Sequence, residues 1–307
     1  MRKPLFIVNP AAGHGRGERR WRAVAARIIE RTPDCEVLRT SAPGEAEGLT
    51  IAGMKRGFQA IIAVGGDGTL GEVVNGFLSA DEPLRRGVSL GTWPVGSGCD
   101  FARHIGMGRG ESDLLSLLAK PRLRRLDAGE IEYADYQERQ VKRYFLNIAA
   151  VGLAGEIALR VHKRGKLWGG TLSYFLHSLA ALFSAKAQTL DLMIDGQAES
   201  GRYHLIALAN TSTSGGGMKL VPGADPEDGK VEVLTVGDLS RLELLCRFPL
   251  IYFGRHIGTP QVTCRQARRV EIRSREKVYL NIDGEAIGVL PLDFRVLPGA
   301  VSFLCPT

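Results

Sequence analysis

The sequence lacks any long hydrophobic run. No apolar stretch reaches the roughly 18 residues that a membrane-spanning helix needs. The N-terminal apolar residues stop at Asn9-Pro10, too early for a signal peptide, and are typical of a first strand. Hydrophobic residues make up 44% and charged residues 24% of the 307 residues, which suits a globular chain long enough for two domains. We therefore expect a cytoplasmic protein, with any membrane contact made peripherally.

The chain is also poor in cysteine and in aromatic residues. Its five cysteines are odd in number and widely spaced, which argues against a disulfide framework and a zinc site, and its six histidines lack metal-ligand spacing. Aromatic residues make up only 7%, and no nucleic-acid-binding motif is visible, so we expect no nucleic acid partner. The net charge of +7 then favours an anionic substrate or an anionic membrane surface.

The most informative stretch is a glycine-rich turn between a predicted strand and a predicted helix. The apolar run 61–64 is typical of a buried strand, and an apolar periodicity starts near residue 72. Between them lies the heptapeptide Gly65-Gly66-Asp67-Gly68-Thr69-Leu70-Gly71. Glycines let the backbone approach a ligand, and the helix N-terminus offers unpaired N–H groups to a phosphate. A carboxylate there implies a cation or a transferable proton, and an ordinary glycine-containing turn is the alternative interpretation.

Residues 1–127 alternate predicted strands and helices. The strands lie at 5–8, 35–39, 61–64 and 88–92, with a helix at about 18–31 and others after residues 44 and 72. Several strands end in loops rich in glycine and small polar residues. In an open parallel sheet such loops lie along one edge, where ligands bind. We therefore predict an α/β domain over residues 1–127.

From about residue 126 the pattern changes to short strands. Strand-like segments lie at 128–133, 143–150, 188–194, 203–209, 230–236, 261–263, 269–274, 278–282 and 294–297, and helices at about 172–183 and 241–253. Antiparallel packing in a sandwich buries such strands. We predict an all-β sandwich domain over residues 128–297, with segment 298–307, including a last strand at 300–304, joining the first domain.

Several motifs together resemble the diacylglycerol kinase catalytic-domain family, which includes bacterial lipid kinases, sphingosine kinases and ceramide kinase, with NAD kinase as a more distant relative. The heptapeptide carries the family signature, Gly-Gly-Asp-Gly-Thr. Further matches follow in the family's order along the whole chain: Asn9-Pro10 with Gly13, Thr40 with Gly44-Glu45-Ala46, the third loop Gly96-Ser97-Gly98-Cys99-Asp100, Leu126-Asp127-Ala128-Gly129, Phe145-Leu146-Asn147, Gly215-Gly216-Gly217 and Asp283-Gly284-Glu285.

The resemblance implies a fold and an activity. The fold is an α/β nucleotide-binding domain, as in NAD kinase and diacylglycerol kinase, followed by an all-β sandwich-type domain, with the active site in the cleft between them. The activity is transfer of the ATP γ-phosphoryl group to a hydroxyl of diacylglycerol or a related lipid, with Mg²⁺. Two alternatives stay open: a kinase of a soluble hydroxyl substrate such as NAD, and a nucleotide- or lipid-binding relative with weakened catalysis.

The resemblance also assigns the nucleotide site. The residues expected to line ATP are Asn9, Thr40, Gly65, Gly66, Asp67, Gly68, Thr69, Leu70, Gly71 and Ser97. Asp67 is a candidate catalytic residue that acts through Mg²⁺ on the nucleotide or holds the acceptor hydroxyl. For Thr40 and Ser97, simple helix capping is the alternative interpretation.

The acidic motif near the C-terminus supplies the candidate general base, Glu285. A carboxylate accepts the proton of a lipid hydroxyl best when burial or a like-charged neighbour raises its pKa. Asp283, two residues away, is expected to lie on the same side of a strand and to be that neighbour. The alternative is that Asp283-Gly284 forms only a hairpin turn beside a solvated Glu285.

The acidic stretch 225–230 is the candidate metal site. By resemblance, Asp228 provides a side-chain ligand to a structural Mg²⁺, and Asp225 and Lys230 provide backbone carbonyls. A plain Asp-Gly turn is the alternative. Two departures from the family pattern lie near the nucleotide, because Gly71 and Cys99 each stand where relatives usually have asparagine. Weaker ATP binding, a changed nucleotide preference or an unusual acceptor would follow.

Two apolar stretches, 168–183 and 244–253, are candidates for a lipid pocket, although either could equally pack as a core helix. Lys163, Arg164 and Lys166 beside the first stretch are expected to meet anionic headgroups. The expected partners are therefore a lipid substrate and a membrane surface contacted peripherally. Whether the chain forms a homodimer is left open.

Overall fold

The computed structural model describes residues 3–164, 182 and 185–306. The chain divides into two compact units, one formed by Met1–Leu126 with Gly299–Thr307 and the other by Asp127–Pro298. The predicted boundaries after residues 127 and 297 lie one residue from the limits of these units. They are called the first unit and the second unit below.

The first unit contains a parallel sheet with helices after its strands. The strands pair in the order β4-β3-β1-β2, with β1 at Pro4–Val8, β2 at Glu36–Arg39, β3 at Ala60–Gly65 and β4 at Ser89–Pro94. The helices are α1 Arg16–Arg31, α2 Glu45–Lys55, α3 Asp67–Ser79, α4 Glu82–Arg85, α5 Asp100–His104 and α6 Glu111–Ala119. Every residue of β1 and β3 is buried, as expected for strands covered on both faces of a parallel sheet.

The C-terminal residues of the chain complete the core of the first unit. Phe303 pairs in parallel register with Leu90 of β4. Its ring centroid lies 5.1 Å from that of Phe101, and both rings are buried. A second aromatic pair, Phe6 and Trp21, packs α1 on β1 with ring centroids 5.0 Å apart. These contacts fix the sheet whose strands end in the glycine-rich loops.

The second unit is built from antiparallel strands. They are β5 Arg122–Ala134, β6 Gln140–Phe145, β7 Ile148–Gly152, β8 Gln188–Ile194, β9 Gln197–Ala209, β10 Val231–Gly237, β11 Val262–Ala267, β12 Arg269–Arg273, β13 Tyr279–Ile282 and β14 Glu285–Cys305, of which β5 and β14 contain residues of both units. One path runs β11-β10-β9-β7-β13-β14, and β8 with β12 bridges β9 to β14. The helices are α7 Leu153–Arg164, α8 Arg241–Arg247 and a 3₁₀ helix, Phe248–Phe253.

Strand β7 separates two apolar clusters of the second unit. Ala149 and Val151 belong to one cluster, and Ile148 and Ala150 belong to the other. This division follows from the alternation of side chains along a strand. The second cluster also includes residues of α8 and the 3₁₀ helix, and an apolar pocket lies within it.

Three predicted elements differ from the structure. The predicted strand 143–150 is two strands, because Asn210 bonds into the break: its side chain donates to the Leu146 carbonyl (2.8 Å) and its N–H to the Asn147 carbonyl (2.9 Å). The predicted interruption between the strands 294–297 and 300–304 is wrong. Both segments belong to β14, which continues through Gly299 with φ +55°, a value that glycine adopts without steric cost. The predicted helix 241–253 changes to a 3₁₀ helix where Pro249 lacks an N–H group.

The predicted helix 172–183 lies outside the described residues except for Leu182. Lys166 lies outside them as well, and the side chains of Lys163 and Arg164 are not among those described. Within the described part of the chain, no helix is long and apolar enough to cross a membrane.

Replacing Phe303 by alanine should destabilise the first unit by about 3–5 kcal/mol, because a fully buried aromatic ring leaves a cavity. The free energy of unfolding, followed in urea by the fluorescence of the buried Trp21 and Trp93, measures this loss. Phe253→Ala is the matched control. Its ring is 71% exposed, and a change beyond about 0.5 kcal/mol is not expected there. Equal stability of the two variants would contradict the assignment of residues 299–307 to this core.

Candidate functional site

The loops that follow β3 and β4 are joined by their backbones. The Gly65 carbonyl accepts the N–H groups of Val95 (2.9 Å) and Gly96 (3.1 Å). A Cβ added to Gly96 would lie 2.6 Å from the Cα of Gly66. The two loops therefore touch at a point where a side chain on Gly96 has no room.

Asn9 ties the loop after β1 to the heptapeptide. Its Nδ2 donates to Thr69 Oγ1 (2.9 Å), and its Oδ1 accepts the N–H of Ala11 (3.0 Å). Thr69 is buried, and a Cβ added to Gly65 would lie 2.3 Å from Thr69 Oγ1. The Thr69 hydroxyl thus packs against the end of β3, and the amide of Asn9 holds it there.

Thr40 and the loop that follows β2 are hydrogen-bonded to β1 and α3. The Thr40 N–H donates to the carbonyl of Val8, the last residue of β1 (3.0 Å). The Glu72 carboxylate of α3 accepts the N–H groups of Gly44 (2.9 Å) and Ala46 (3.1 Å) at the start of α2. Sequence reasoning missed Glu72, although an acidic residue just beyond the heptapeptide is a visible signal.

Asp67, the first residue of α3, bonds to the third loop. Its Oδ2 accepts the N–H of Asp100 (3.0 Å) and its Oδ1 accepts that of Phe101 (3.3 Å) at the start of α5. Burial raises the pKa of Asp67, and the nearby Asp100 carboxylate raises it further, against the lowering effect of these N–H groups. The geometry makes Asp67 a residue that positions the third loop.

The capping alternative for Thr40 and Ser97 is wrong. The residue at the N-cap of α2 is Gly44, and the one at the N-cap of α5 is Cys99. Ser97 lies two residues before α5, where its carbonyl accepts a hydrogen bond from Arg109. Both predicted hydroxyls therefore belong to loops rather than to helix caps.

Cys99 has a left-handed backbone, with φ 56° and ψ 52°. Asparagine is several-fold enriched in this conformation among residues other than glycine, so the asparagine that the family resemblance leads us to expect here would adopt the same backbone. The Cys99 side chain is buried, and burial together with the Asp67 carboxylate raises the pKa of the thiol to about 11. Cys99 therefore stays neutral and fills space beside the heptapeptide.

The rest of the heptapeptide lies in the first turn of α3. The Leu70 N–H donates to the Gly66 carbonyl (3.1 Å), and the Leu70 side chain is buried. Gly68 precedes it in the same turn. At Gly71 an added Cβ would meet no atom within 4 Å, so there is open space beside this glycine.

Two arginines lie beside the third loop and were not assigned from the sequence. Arg103 forms an ion pair with Asp100. Arg109 Nη2 donates to the carbonyls of Gly98 (3.1 Å) and Ser97 (3.4 Å). Guanidinium groups beside glycine-rich loops suit a polyphosphate anion.

In the second unit, Asp283 and Gly284 form the turn between β13 and β14. Both have positive φ, 49° and 91°, as in a two-residue hairpin turn. Asp283 Oδ1 accepts the N–H of Ile148 (2.9 Å), and the Gly284 N–H donates to Asn281 Oδ1 (3.0 Å). The expectation that Asp283 and Glu285 share one face of a strand is therefore wrong, because the turn separates them.

Glu285 is the first residue of β14, and its side chain is 55% exposed. Arg143 Nη2 lies 3.8 Å from its carboxylate. A carboxylate in this setting is open to an incoming hydroxyl and has a cation to orient it.

The predicted metal stretch is a tight turn with a glycine at positive φ, Gly229 at 72°. Asp228 Oδ1 accepts the N–H of Lys230 (2.9 Å), and its Oδ2 accepts Gln266 Nε2 (3.1 Å). Asp225 Oδ1 accepts the N–H of Glu227 (3.0 Å). Among the residues that the structure describes, no group of three His, Cys, Asp or Glu side chains could hold a metal.

Asp127 is buried in the second unit, and its role could not be predicted from the sequence. Its Oδ2 accepts the N–H of Gly229 (2.6 Å), and its own N–H donates to the Pro226 carbonyl (2.7 Å). Asp127 therefore holds the turn 225–230 from both sides.

The second unit contains an apolar pocket of about 940 Å³, including the solvent-open space at its mouth. Side chains of β7, α7, β9, β10, α8 and the 3₁₀ helix line it. The predicted lipid stretch 244–253 contributes Leu244, Phe248 and Ile251. Asn281 and Ile148, both bonded to the Asp283-Gly284 turn, also line the pocket.

Two family models match this chain. Residues 3–131 match the diacylglycerol kinase catalytic domain, and residues 147–305 match the YegS C-terminal NAD kinase beta sandwich-like domain. The diacylglycerol kinase of Staphylococcus haemolyticus is 30% identical over 307 residues, covering 100% of this chain and 89% of the relative. That of Bacillus subtilis is 29% identical over 311 residues, covering 100% and 97%.

Solved structures share the fold. A diacylglycerol kinase from Bacillus anthracis has a TM-score of 0.73 at 20% identity, covering 99% of this chain and 96% of that one. A yeast NADH kinase in complex with NADH has a TM-score of 0.54 at 12% identity, covering 99% and 82%. The predicted fold class is confirmed: an α/β nucleotide-binding domain followed by a β sandwich.

The chain belongs to the diacylglycerol kinase family, a family of lipid kinases. Its two matched regions together span both units, so the predicted resemblance is confirmed. The protein is an ATP-dependent kinase.

The raised pKa of Asp67 predicts a pH dependence of stability. The folded state binds this proton more tightly than the unfolded chain, so the free energy of unfolding falls as pH rises from the ordinary value of 3.8 through the raised folded value. The Asp67→Asn variant has no titrating carboxyl group at this position, so its stability lacks this dependence on pH. The stability of the wild type relative to Asp67→Asn, measured by urea unfolding, should therefore decline as the pH rises above about 4. Asp81→Asn, at an exposed site of the same unit, is the control, and a difference independent of pH would contradict the assignment.

Proposed function

We propose that this kinase transfers the γ-phosphoryl group of ATP to a hydroxyl of diacylglycerol or a related lipid. The observation that carries the proposal is the junction of an apolar pocket with an acidic turn in the second unit. Relatives named diacylglycerol kinase over the full length of the chain support it.

The junction depends on Ile148 and Asn281. Both line the pocket, and both are hydrogen-bonded to the turn Asp283-Gly284. An amphiphile whose hydrocarbon part fills the pocket would have its polar end next to this turn. Glu285 is the residue that follows the turn, so its carboxylate is the acid-base group that such a polar end would meet.

For phosphoryl transfer, the protein must position the two substrates, stabilise the charge of the transition state and provide a base. The lipid hydroxyl oxygen forms a bond to the γ-phosphorus, the bond from that phosphorus to the β–γ bridging oxygen breaks, and ADP leaves. Glu285 accepts the hydroxyl proton, and Arg143 orients the Glu285 carboxylate. Asp283 is a positioning residue, since its carboxylate oxygen is used by the Ile148 N–H.

The nucleotide would occupy the loop cluster of the first unit. Its expected contacts are the predicted ones: Asn9, Thr40, Gly65, Gly66, Gly68, Thr69, Leu70, Gly71 and Ser97. Asp67 would also position the third loop, because both of its oxygens accept N–H groups of that loop, and its catalytic role through Mg²⁺ or the acceptor hydroxyl stays a prediction. Arg103 and Arg109 add positive charge for the phosphates.

ATP would enter as its Mg²⁺ complex, and a structural Mg²⁺ would be held by residues 225–230. The donors fit a hard cation: each Asp228 oxygen accepts one hydrogen bond and keeps a lone pair, and backbone carbonyls of Asp225 and Lys230 would complete the set with water. The ion would stiffen the turn.

A surface beside the pocket supports peripheral contact with a membrane. Leu242 and Phe253 are each 71% exposed, on the same segment that lines the pocket with Leu244 and Phe248. Arg241 and Arg255 flank this segment in sequence. Exposed apolar side chains beside arginine are typical of membrane-surface binding.

The test is lipid-dependent transfer of labelled phosphate from ATP in mixed micelles of dioctanoylglycerol. Glu285→Gln should lower kcat by about 10²–10⁴-fold, the usual contribution of a general base. Glu271→Gln is the matched control, because its side chain is 54% exposed and lies 3.4 Å from Arg273. Chelation of Mg²⁺ should abolish transfer in all variants.

Three outcomes would contradict the proposal. Retained activity in Glu285→Gln would remove Glu285 as the base. Transfer to NAD or a polyol with none to any lipid would favour a soluble acceptor, and nucleotide binding without any turnover would indicate a relative that has lost catalysis.

A further inference from the structure

A β-bulge in β14 decides which face of the sheet carries Glu285. Glu285 pairs with Ile282 of β13. Gly288, three residues further along β14, pairs with Leu280, which is only two residues from Ile282. Paired residues share a face of a sheet, and so do residues two apart along a strand. The extra residue in β14 therefore places Glu285 and Gly288 on the same face, where a regular strand would separate them.

Tyr133 of β5 covers Gly288 on this face. A Cβ added to Gly288 would lie 2.7 Å from Tyr133 Cδ2, so the aromatic ring packs directly on the glycine backbone. The Tyr133 residue is only 4% exposed. A buried ring in direct contact with backbone has little freedom to move, so its hydroxyl has a fixed position on the face that carries Glu285.

Arg143 of β6 lies close to both side chains. Tyr133 pairs with Val141, so Arg143 is its diagonal neighbour on the same face of the β5–β6 pair, within reach of a long side chain. Burial raises the pKa of Tyr133, whereas the charge of Arg143 and hydrogen bonding to it act in the opposite direction. The Glu285 carboxylate also raises the pKa of this tyrosine. The three polar groups therefore form one cluster.

The ion pair between Arg143 and Glu285 is loose. Arg143 Nη2 lies 3.8 Å from the Glu285 carboxylate, which is too far for a hydrogen bond. In the same unit, Arg295 Nε lies 2.6 Å from Glu130. Within the described part of the chain, neither oxygen of Glu285 accepts a hydrogen bond. A second partner for the guanidinium, the Tyr133 hydroxyl, accounts for the open pair.

The other charged groups near this cluster have partners of their own. Asp135, which follows β5, forms an ion pair with Arg139 at 2.6 Å. Asp283 Oδ1, in the turn before Glu285, accepts the N–H of Ile148. Among the residues that the structure describes, Arg143 is the one cation within 4 Å of the Glu285 carboxylate. The position of its guanidinium therefore governs how strongly this carboxylate is held.

We propose that Tyr133 is a positioning residue that holds the Arg143 guanidinium at a distance from Glu285 and so keeps the carboxylate free to accept a proton. Arg143 then orients the carboxylate without closing on it. A direct ion pair would favour the charged form of the carboxylate and make it a weaker base. This inference rests on the proposed function, because it concerns the base of the same reaction.

The test is the pH profile of kcat for phosphoryl transfer to dioctanoylglycerol in wild type and in Tyr133→Phe. The variant keeps the packed ring and lacks the hydroxyl, so Arg143 should close on Glu285. The acid limb, where the base becomes protonated, should move to lower pH by about one unit. At neutral pH, kcat should fall about threefold to tenfold, because the base is weaker. An acid limb at the same pH as in wild type would overturn the proposal.

Tyr203→Phe is the matched control. Tyr203 packs against the same apolar cluster as Tyr133, and its hydroxyl donates to Glu199 Oε1 (3.4 Å), which forms an ion pair with Arg265. Loss of this hydroxyl should leave both kcat and the acid limb unchanged. An equal shift of the limb in this control would also overturn the proposal, because the effect would not be specific to Tyr133.

A second substitution tests whether Tyr133 acts through Arg143. In Arg143→Gln the cation is absent, so the addition of Tyr133→Phe should not move the acid limb further. A tyrosine with a purely structural role would lower kcat by the same factor in both backgrounds and leave the acid limb in place. That result would overturn the proposal.

Failure of the proposed function would look different. If no lipid is phosphorylated, the lipid-kinase proposal fails, and if Glu285→Gln keeps full activity, Glu285 is not the base. In either case, NMR titration of protein labelled at its glutamate carboxyl groups still tests the arrangement, with the Glu285 signal assigned by its absence in Glu285→Gln. A lower titration midpoint in Tyr133→Phe than in wild type supports the inference, and equal midpoints overturn it.

Discussion

The hydrogen bonds from the third loop to the Asp67 carboxylate are the contact on which the candidate nucleotide site depends. They join the first residue of α3 to the start of α5, and so fix two loops that follow neighbouring strands. The Gly65 carbonyl and the Asn9 amide complete the cluster from β3 and β1. Without Asp67, the N–H groups of Asp100 and Phe101 at the start of α5 would lose their carboxylate acceptor.

Much of this arrangement could be predicted from sequence. Buried strands followed by glycine-rich loops predict both the parallel sheet and the edge at which the loops meet, since that geometry follows from hydrophobic runs and glycine positions. The structural role of Asp67 could not be predicted, because the sequence does not distinguish an aspartate that accepts backbone N–H groups from one that binds a cation. Glu72 was missed for the same reason.

The second unit shows a further limit. Alternating strands were predictable, but the sequence left open whether Asp283 belongs to a strand or, with Gly284, to a hairpin turn, because the distinction depends on two positive φ angles. The break after Phe145 depends on Asn210, which is distant in sequence. The pocket forms only when β7, β9 and the 3₁₀ helix pack together, and no local pattern in the sequence predicts that packing.

The most direct measurement is hydrogen–deuterium exchange of the third-loop amides in the wild type and in Asp67→Asn. If the Asp67 carboxylate organises the nucleotide loops, the amides of Asp100 and Phe101 should be protected in the wild type and exchange faster in the variant, and ATP should add less protection to residues 97–103 of the variant. Unchanged exchange at both amides, with ATP protection retained, would contradict the account.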